Sequence, residues 1–442
     1  MARTAEPRMH RSPGAPPSAE TEHQLGAMAL PTVEESTLRN RTSAQRRPSA
    51  SILMTCAHDS GTGGLQSVFR DLVRYLEGTG RSVHLIYPAP LPSLRRVQAT
   101  NTWGRIASYC PLPTIVNNSV PLSVPLLGVY LPIAQFHLTR LIRRNKIDVI
   151  NCHGLSPYFL HLAIAARLWR IPLVLSVHGA EIDGYAARGA AQRLLLRLVV
   201  RSADRVVACS RALARQTSEA FPGARGKITY VHNGLDLSQF AENGSAPPVD
   251  GPFVLTVCRQ VEKKGVDTLL RAFALVLRDV PTLSLVVIGD GPLLERNKAL
   301  ARTLQIEPQV RFVGDVPRAE VLAAFAACTL FVLPSRAEPF GLVLLEAAHY
   351  RKAIVGTRVG GIPEIVADHV SGVLVEPDDP AAMAAQMSRL LRNPDVAERL
   401  GVRAHQTLMS RFRWEDRGPD YTAIYEGARG PSVLDSDAGP PP

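Results

Sequence analysis

The stretch Pro334-Ser-Arg-Ala-Glu-Pro-Phe-Gly-Leu-Val-Leu-Leu-Glu346 sets two carboxylates eight positions apart, across a tight loop and a helix start. The run Leu330-Phe-Val-Leu333 ahead of it reads as a short apolar strand, and Pro334 and Pro339 forbid helix in the loop. Gly341 to Ala348 then has helical composition, so Glu338 falls in the loop and Glu346 one to two turns inside the helix. Between them lie the backbone N–H groups of Phe340, Gly341 and Leu342, at a helix N-terminus where partial positive charge gathers and glycine admits a close ligand. An anionic ligand carrying hydroxyls suits this geometry: Glu338 can accept from sugar hydroxyls and Glu346 from the paired hydroxyls of a ribose, on either side of a phosphate. Two lone glutamates would equally read as a solvated loop acid and a helix-surface acid. The Pro-Phe-Gly between them and the companion motifs favour the site.

Upstream, Ser51 to Cys56 is a buried strand running into the glycine-rich turn His58 to Gly64 and the amphipathic helix Leu65 to Glu77. Such a turn commonly binds phosphate, but the full dinucleotide fingerprint is missing and no acid is placed to hold a nicotinamide ribose. Strands recur at Val83 to Tyr87, Asp148 to Cys152, Leu173 to Val177, Arg205 to Cys209 and Lys227 to Val231, with helical stretches between most of them. That alternation means a doubly wound parallel sheet, with ligands beyond the carboxyl ends of its strands. His153, His178 with Gly179, and His232-Asn233-Gly234 all fall there. An imidazole at such a place can hydrogen-bond a sugar hydroxyl or steady charge at a reacting carbon, and it can also be structural.

Asn233 to Ser238 and the Gly, Pro and Asn of Ala241 to Pro252 mark a break between domains. The second half opens with the strand Phe253 to Arg259, and five residues later Lys264-Gly265 starts a helix. Arg259 and Lys264 put two cations over one crevice, which suits a diphosphate. Leu283 to Ile288 and Val310 to Asp315 are further strands, and Val313 and Gly314 can offer backbone groups to a base. The glycine turn in Arg358 to Glu364 reads either as another anion-binding nest or as a plain βα turn. Helices from about 380 to 410 and Trp414 to Glu426 close the chain.

In this order the motifs resemble those of the retaining glycosyltransferases of the GT-B fold, family four (glycosyl transferases group 1 type), whose signature is Glu, seven residues, Glu. Glu338 and Glu346 match it, and the resemblance spans residues 51 to about 428. It implies an α/β architecture of two Rossmann-like doubly wound parallel-sheet domains facing across a cleft. The acceptor-side domain is expected over 51–234 with the last helix, 414–428, crossing back to it; 235–252 is the linker and 253–413 the nucleotide-sugar domain. It further implies that Gly63 and Gly64 face the donor's reacting end, that His178 lies near the transferred bond, and that Arg259 and Lys264 hold the diphosphate. Val313 and Gly314 then lie by the base, Glu338 on the sugar and Glu346 on the ribose. Where the family has Gly-Arg-Leu, this chain has Cys258-Arg259-Gln260, so the backbone beside Arg259 is less open.

The reaction so implied moves a hexosyl group from a nucleotide-diphosphate sugar to an acceptor hydroxyl with the anomeric configuration retained, without metal or cofactor. With no carboxylate placed opposite the sugar, attack is expected from the leaving-group face, the departing phosphate taking the acceptor proton. A retaining glycosidase differs, its two carboxyls flanking the bond about 5 Å apart. Assembly of cell-envelope or exopolysaccharide glycan or glycolipid is the expected setting. The alternatives are a nucleotide-sugar isomerase or phosphorylase on the same fold, and a non-catalytic membrane-associated scaffold.

Composition bounds these readings. A chain of 442 residues with 46% hydrophobic content can build two cores. Its six cysteines, at 56, 110, 152, 209, 258 and 328, are never closer than 42 residues apart, so neither metal spacing nor a disulfide framework is present and a reducing compartment is expected. No apolar run reaches the roughly 18 to 20 residues that span a bilayer. Residues 1–50 and 429–442 read as disordered tails. The charge is uneven: residues 51–250 carry 21 Lys and Arg against 11 Asp and Glu, whereas 251–442 carry 22 against 23. An anionic membrane surface or a lipid pyrophosphate is the expected partner of that basic half, rather than nucleic acid, for which no motif is present. The partners are therefore a nucleotide sugar and a glycan or lipid-linked acceptor, in the cytoplasm or on the membrane's inner face. Residues 111–133, apolar but broken by five prolines, read either as a lipid- or acceptor-facing segment beside Arg140, Arg143, Arg144 and Lys146 or as an ordinary core helix with its loop.

Overall fold

The structure, a computed structural model, describes residues 50–56, 63–89, 98–101, 105–111, 120–240 and 248–427. Apart from Ala50 the two expected tails lie outside the described residues, as do residues 57–62 of the first glycine turn and 241–247 of the linker. In the first half the elements are β1 (Ser51–Cys56), α1 (Gly64–Gly78), β2 (Ser82–Ala89), β3 (Gln98–Thr100), β4 (Ile106–Pro111), α2 (Val120–Asn145) and β5 (Val149–His153). Then come α3 (Phe159–Trp169), β6 (Leu173–Val177), α4 (Ala180–Asp183), α5 (Ala190–Ser202), β7 (Arg205–Ala208), α6 (Arg211–Ala220) and β8 (Ile228–Tyr230).

The second half holds β9 (Phe253–Val257), α7 (Val266–Val276), β10 (Ser284–Ile288), α8 (Leu294–Thr303), β11 (Val310–Gly314), α9 (Arg318–Ala327) and β12 (Leu330–Leu333). It continues with α10 (Leu342–His349), β13 (Ala353–Thr357), α11 (Ile362–Ile365), β14 (Val373–Val375), α12 (Pro380–Arg392), α13 (Pro394–Arg411) and α14 (Trp414–Gly427).

Apolar runs such as Leu330–Leu333 and Leu173–Val177 are buried along their whole length, as strands covered by helices on both faces must be. They assemble into two sheets, ordered β3-β4-β2-β1-β5-β6-β7-β8 and β11-β10-β9-β12-β13-β14. The second sheet is parallel throughout, and the first is parallel except for the antiparallel pair β3 and β4. Its order reverses direction between β9 and β12, which pair through Leu330 with Val254 and Phe331 with Leu255. A crevice opens at such a switch point, beyond the carboxyl ends of the two strands. The segments that leave those ends begin with Cys258-Arg259 and Pro334. In the first sheet the equivalent point lies between β1 and β5, from which the chain runs to Gly63-Gly64 and from His153 to Gly154.

On one face of the first sheet Ile52, Met54 and Val174 pack under α1 and, with it, under Trp414, Tyr421 and Tyr425 of α14. The last helix therefore lies against the first sheet although it follows the second in sequence. On the other face Leu53, Ile150 and Leu175 meet α2, α3 and α5. Where residues 111–133 are described they form a helix, as the reading of a helix with its loop has it: from Val120 the chain is one helix of 26 residues, running through Pro121, Pro125 and Pro132. Pro121 sits in the first turn, where its missing N–H has no rung to lose, and the other two each remove one rung from a helix otherwise intact. None of the helices among the described residues is long and apolar enough to cross a membrane.

Candidate active site

Lys264 and Glu338 come together at the switch point of the second sheet. The Lys264 ammonium donates to Glu338 Oε2 at 2.5 Å, and the Ser335 hydroxyl reaches the same oxygen at 3.4 Å. The turn that presents Lys264 ends in Gly265 at φ 63°, where a Cβ would stand 2.1 Å from the carbonyl oxygen of Pro334. Only glycine lets these two segments lie so close. Arg259, at the end of β9, is exposed, and its neighbour Cys258 feels the charges of both Lys264 and Glu338. The loop carrying Glu338 is braced from behind by the turn after β13, whose Gly361 N–H donates to Glu338 O at 2.9 Å. A Cβ on Gly360 would stand 1.9 Å from that same oxygen. Of the two readings of the Arg358 to Glu364 stretch, the nest is therefore not what forms: its glycines are spent holding the loop.

Glu346, one turn into α10, is buried and ion-paired with Arg318 at 2.8 Å. Arg318 opens α9, four residues beyond Gly314 at the end of β11, so its ion pair ties Glu346 to the segment that follows that strand. Phe340 is buried against His232, ring centroids 5.8 Å apart, and against Phe412. As the first residues of α10, Leu342 and its neighbours have N–H groups without intrahelical partners.

The first half reaches the same place. Gly179, next to His178, has φ 113°, and a Cβ there would overlap Pro339 Cγ at 2.1 Å, so the loop after β6 touches the residue that follows Glu338. A Cβ on Gly64 would lie 3.5 Å from Leu342 Cδ1, which brings the start of α1 opposite the start of α10. His178 Nε2 is 3.1 Å from Nδ1 of His153, and its backbone N–H donates to the Glu181 carboxylate at 2.5 Å. Further contacts tie the halves beside this point: Lys263 to Asp183 at 3.0 Å, and Glu364 to His232 Nε2 at 2.7 Å. Glu364 also accepts the N–H groups of Arg211 and Ala212 at the start of α6.

Residues 62–239 match the family described as Glycosyltransferase Family 4, and residues 239–407 the one described as Glycosyl transferases group 1. Glycogen synthase of Mycobacterium tuberculosis is 30% identical over 293 residues, which cover 65% of this chain and 70% of that protein. This chain belongs to the family 4, group 1 glycosyltransferases. A second relative, the GDP-mannose-dependent alpha-(1-6)-phosphatidylinositol monomannoside mannosyltransferase of Mycolicibacterium smegmatis, is 29% identical across 67% of this glycosyltransferase and 81% of its own length. Among solved structures, Anabaena HepE in complex with UDP and glucose superposes with a TM-score of 0.67 at 20% identity, covering 86% of this chain and all of that one, 100%. Sucrose-phosphate synthase from Thermosynechococcus elongatus gives a TM-score of 0.67 at 21% identity, over 85% of this chain and 98% of the other. At such identities the likeness is one of fold, and it is the GT-B arrangement of two Rossmann-like sheets.

In this glycosyltransferase the electrostatics of the site follow from burial. Burial alone would lower the Lys264 ammonium, but the Glu338 carboxylate beside it more than offsets that and leaves its pKa above the ordinary value. Burial pushes the Glu346 carboxyl up, against the pull of Arg318. It also holds His178 down to about 4, so this imidazole is neutral near pH 7 and acts as a hydrogen-bonding group rather than a cation. Sequence reasoning missed Arg318, since nothing marks one arginine at a helix start. It also missed the clasp of Glu364 on His232, because the two lie 132 positions apart. The glycines at 179, 360 and 361 were the available signals for close loop approaches, but which loop each would meet is set by the packing of the two halves.

Proposed function

We propose that this glycosyltransferase moves a hexosyl group from a nucleoside diphosphate sugar to a hydroxyl of a glycan or lipid-linked acceptor, with retention at the anomeric carbon. The observation that carries the reading is the pairing of Lys264 with Glu338 beside the loop after β6, whose Gly179 packs on Pro339, so that an ammonium and a carboxylate of the second half lie next to the loop that carries His178 in the first. Arg259 and Lys264 take the diphosphate, Glu338 the sugar hydroxyls, Glu346 the ribose hydroxyls, and His178 the reacting end. Before the donor enters, Lys264 is neutralised by Glu338 and Glu346 by Arg318. The donor supplies a substitute for each: phosphate oxygens for Lys264, and hydroxyl donors for both carboxylates.

Chemically, the bond from the anomeric carbon to the phosphate oxygen breaks and a bond to the acceptor oxygen forms on the same face. The acceptor's proton passes to the departing phosphate, whose growing charge the two cations stabilise by about 1.5–3 kcal/mol for each charged hydrogen bond. The relatives support the substrate class: one is a glycogen synthase, another a GDP-mannose-dependent mannosyltransferase, and HepE was crystallised with UDP and glucose.

A thermal-shift panel of nucleoside diphosphates and their sugars tests the donor. A ligand at 100 times its dissociation constant stabilises by about 2.7 kcal/mol, so one base should raise the unfolding midpoint and the others should not. The anomer of the product, read by proton NMR coupling, tests retention; an inverted product contradicts it. Nucleotide sugar turned over with no acceptor present, or phosphate-dependent chain breakdown, would point to the isomerase or phosphorylase instead.

A further inference from the structure

Helices α2, α3 and α5 lie side by side on one face of the first sheet, with Leu138, Leu162 and Leu196 turned into the core. Their opposite sides carry large apolar groups in the open: Phe136 is 66% exposed, Leu168 67% and Leu194 57%. Trp169 joins them at the seam between α2 and α3, its Nε1–H donating to Thr139 Oγ1 at 3.1 Å and the Arg143 guanidinium lying 5.5 Å over its ring. Such a cluster is unlike apolar residues scattered singly over a surface.

Charge sets this face apart as well. The three helices contain seven arginines and no aspartate or glutamate. Arg140, Arg143, Arg144, Arg167, Arg197 and Arg201 form no ion pair with a carboxylate among the described residues. On α2 the exposed positions 133, 136, 140 and 143, and on α5 the exposed positions 194, 197, 198 and 201, recur at helical spacing. On α2 this outward stripe runs from Ile133 and Phe136 to Arg140 and Arg143, on α5 leucine and arginine alternate along it, and α3 adds Arg167, Leu168 and Trp169 at its end.

We propose that this three-helix face docks the protein on an anionic lipid surface. The phenyl, indole and leucine groups enter the boundary between headgroups and acyl chains, and the arginines bind lipid phosphates. A second copy of the chain fits worse: in a two-fold dimer the same patch meets itself, and the six unpaired cations of one copy would face the six of the other. Nucleic acid fits worse too, because it would match the arginines and leave Leu168 and Leu194 without an apolar partner. The inference stands on surface chemistry and does not depend on the donor or acceptor proposed above.

The test is sedimentation of the full chain with vesicles of phosphatidylcholine and phosphatidylglycerol at 3:1, against phosphatidylcholine alone, in about 0.1 M salt, where charge is only partly screened. The protein should pellet with the mixed vesicles and not with the neutral ones, and brominated lipid should quench Trp169 fluorescence. Replacing Arg140, Arg143 and Arg197 by alanine should weaken binding about a hundredfold, at about fivefold for each cation lost. Phe136→Ser with Leu168→Ser should reduce it at least tenfold, with circular dichroism and the nucleotide-dependent thermal shift unchanged; Phe136→Ser alone serves if the pair fails to fold. Unchanged vesicle binding in the arginine set, or equal binding of neutral vesicles, overturns the proposal. So does a concentration-dependent dimer in velocity sedimentation that these variants abolish, or binding of duplex DNA in place of vesicles.

Discussion

Replacing Lys264 by methionine keeps the length of the side chain and removes its charge, which isolates what the ammonium does. Glu338 is 8% exposed, and in the native protein its carboxylate is met by Lys264 Nζ at 2.5 Å and by the Ser335 hydroxyl at 3.4 Å. Without the lysine a buried charge keeps only the long hydroxyl contact. Breaking one side of a buried pair costs about 3–5 kcal/mol, and the surviving Ser335 contact argues for the lower end. For a lobe of this size about 3 kcal/mol corresponds to a fall of about 6–12 °C in the unfolding midpoint. Removing both charges, in Lys264→Met with Glu338→Gln, leaves no unpaired ion and should recover most of that loss, so a double-mutant cycle by calorimetry should give a coupling of about 2 kcal/mol or more. The methionine variant should also bind nucleoside diphosphate about 10- to 100-fold more weakly, from the loss of one charged hydrogen bond. Additive effects in the cycle, or a methionine variant as stable as the parent, would refute the idea that these two groups form one electrostatic unit.

Two further outcomes follow from the structure. Burial holds His161 and His178 down to about 4 from an ordinary 6.5, so between those values the unfolded chain binds protons that the folded protein refuses, and stability falls as pH drops from about 6.5 toward 4. Asp71, pushed up to about 6 by burial, works the opposite way, as do the raised Glu346 and Glu181, while the lowered His153, His84 and His349 add to the histidine slope. His161→Leu should flatten part of this slope, by up to about 3 kcal/mol at pH 4, and calorimetry showing no dependence across the window would contradict it. Glu364→Ala removes the carboxylate that caps α6 and holds His232, at a cost of about 1–2 kcal/mol, and should speed hydrogen exchange at the Arg211 and Ala212 amides. Unchanged exchange would show that the clasp does not hold the two halves.

How much was legible in the chain depended on range. Buried parallel strands are continuous apolar runs, and Leu173–Val177 and Leu330–Leu333 stand where their composition puts them. Strands β3 and β4 were not anticipated, because Gln98–Thr100 and Ile106–Pro111 lie at a sheet edge and carry no such run. In α2 the helix runs on through Pro125 and Pro132, because tertiary packing of Ala134, Leu138 and Ile142 outweighs two lost rungs. Within the site, Lys264 at a helix start and Glu338 in the loop after a strand were legible as charged groups of the segments that follow β9 and β12, since the switch point of a parallel sheet gathers whatever follows its two central strands. What could not be read was pairing across the halves: Pro339 against Gly179 and Glu364 against His232 depend on how the sheets approach each other. Arg318 on Glu346 is hidden for a related reason, as α9 and α10 follow different strands.

The account rests on Glu338 serving the transferred sugar while Arg259 and Lys264 serve the diphosphate. The direct measurement is a pair of numbers on Glu338→Ala, turnover of nucleotide sugar with acceptor and calorimetric affinity for the nucleoside diphosphate. Turnover should be lost, while affinity stays within about threefold of the parent or improves, because the substitution frees Lys264 from its native partner. Turnover at the parental rate, or loss of diphosphate binding equal to the loss of turnover, would contradict it.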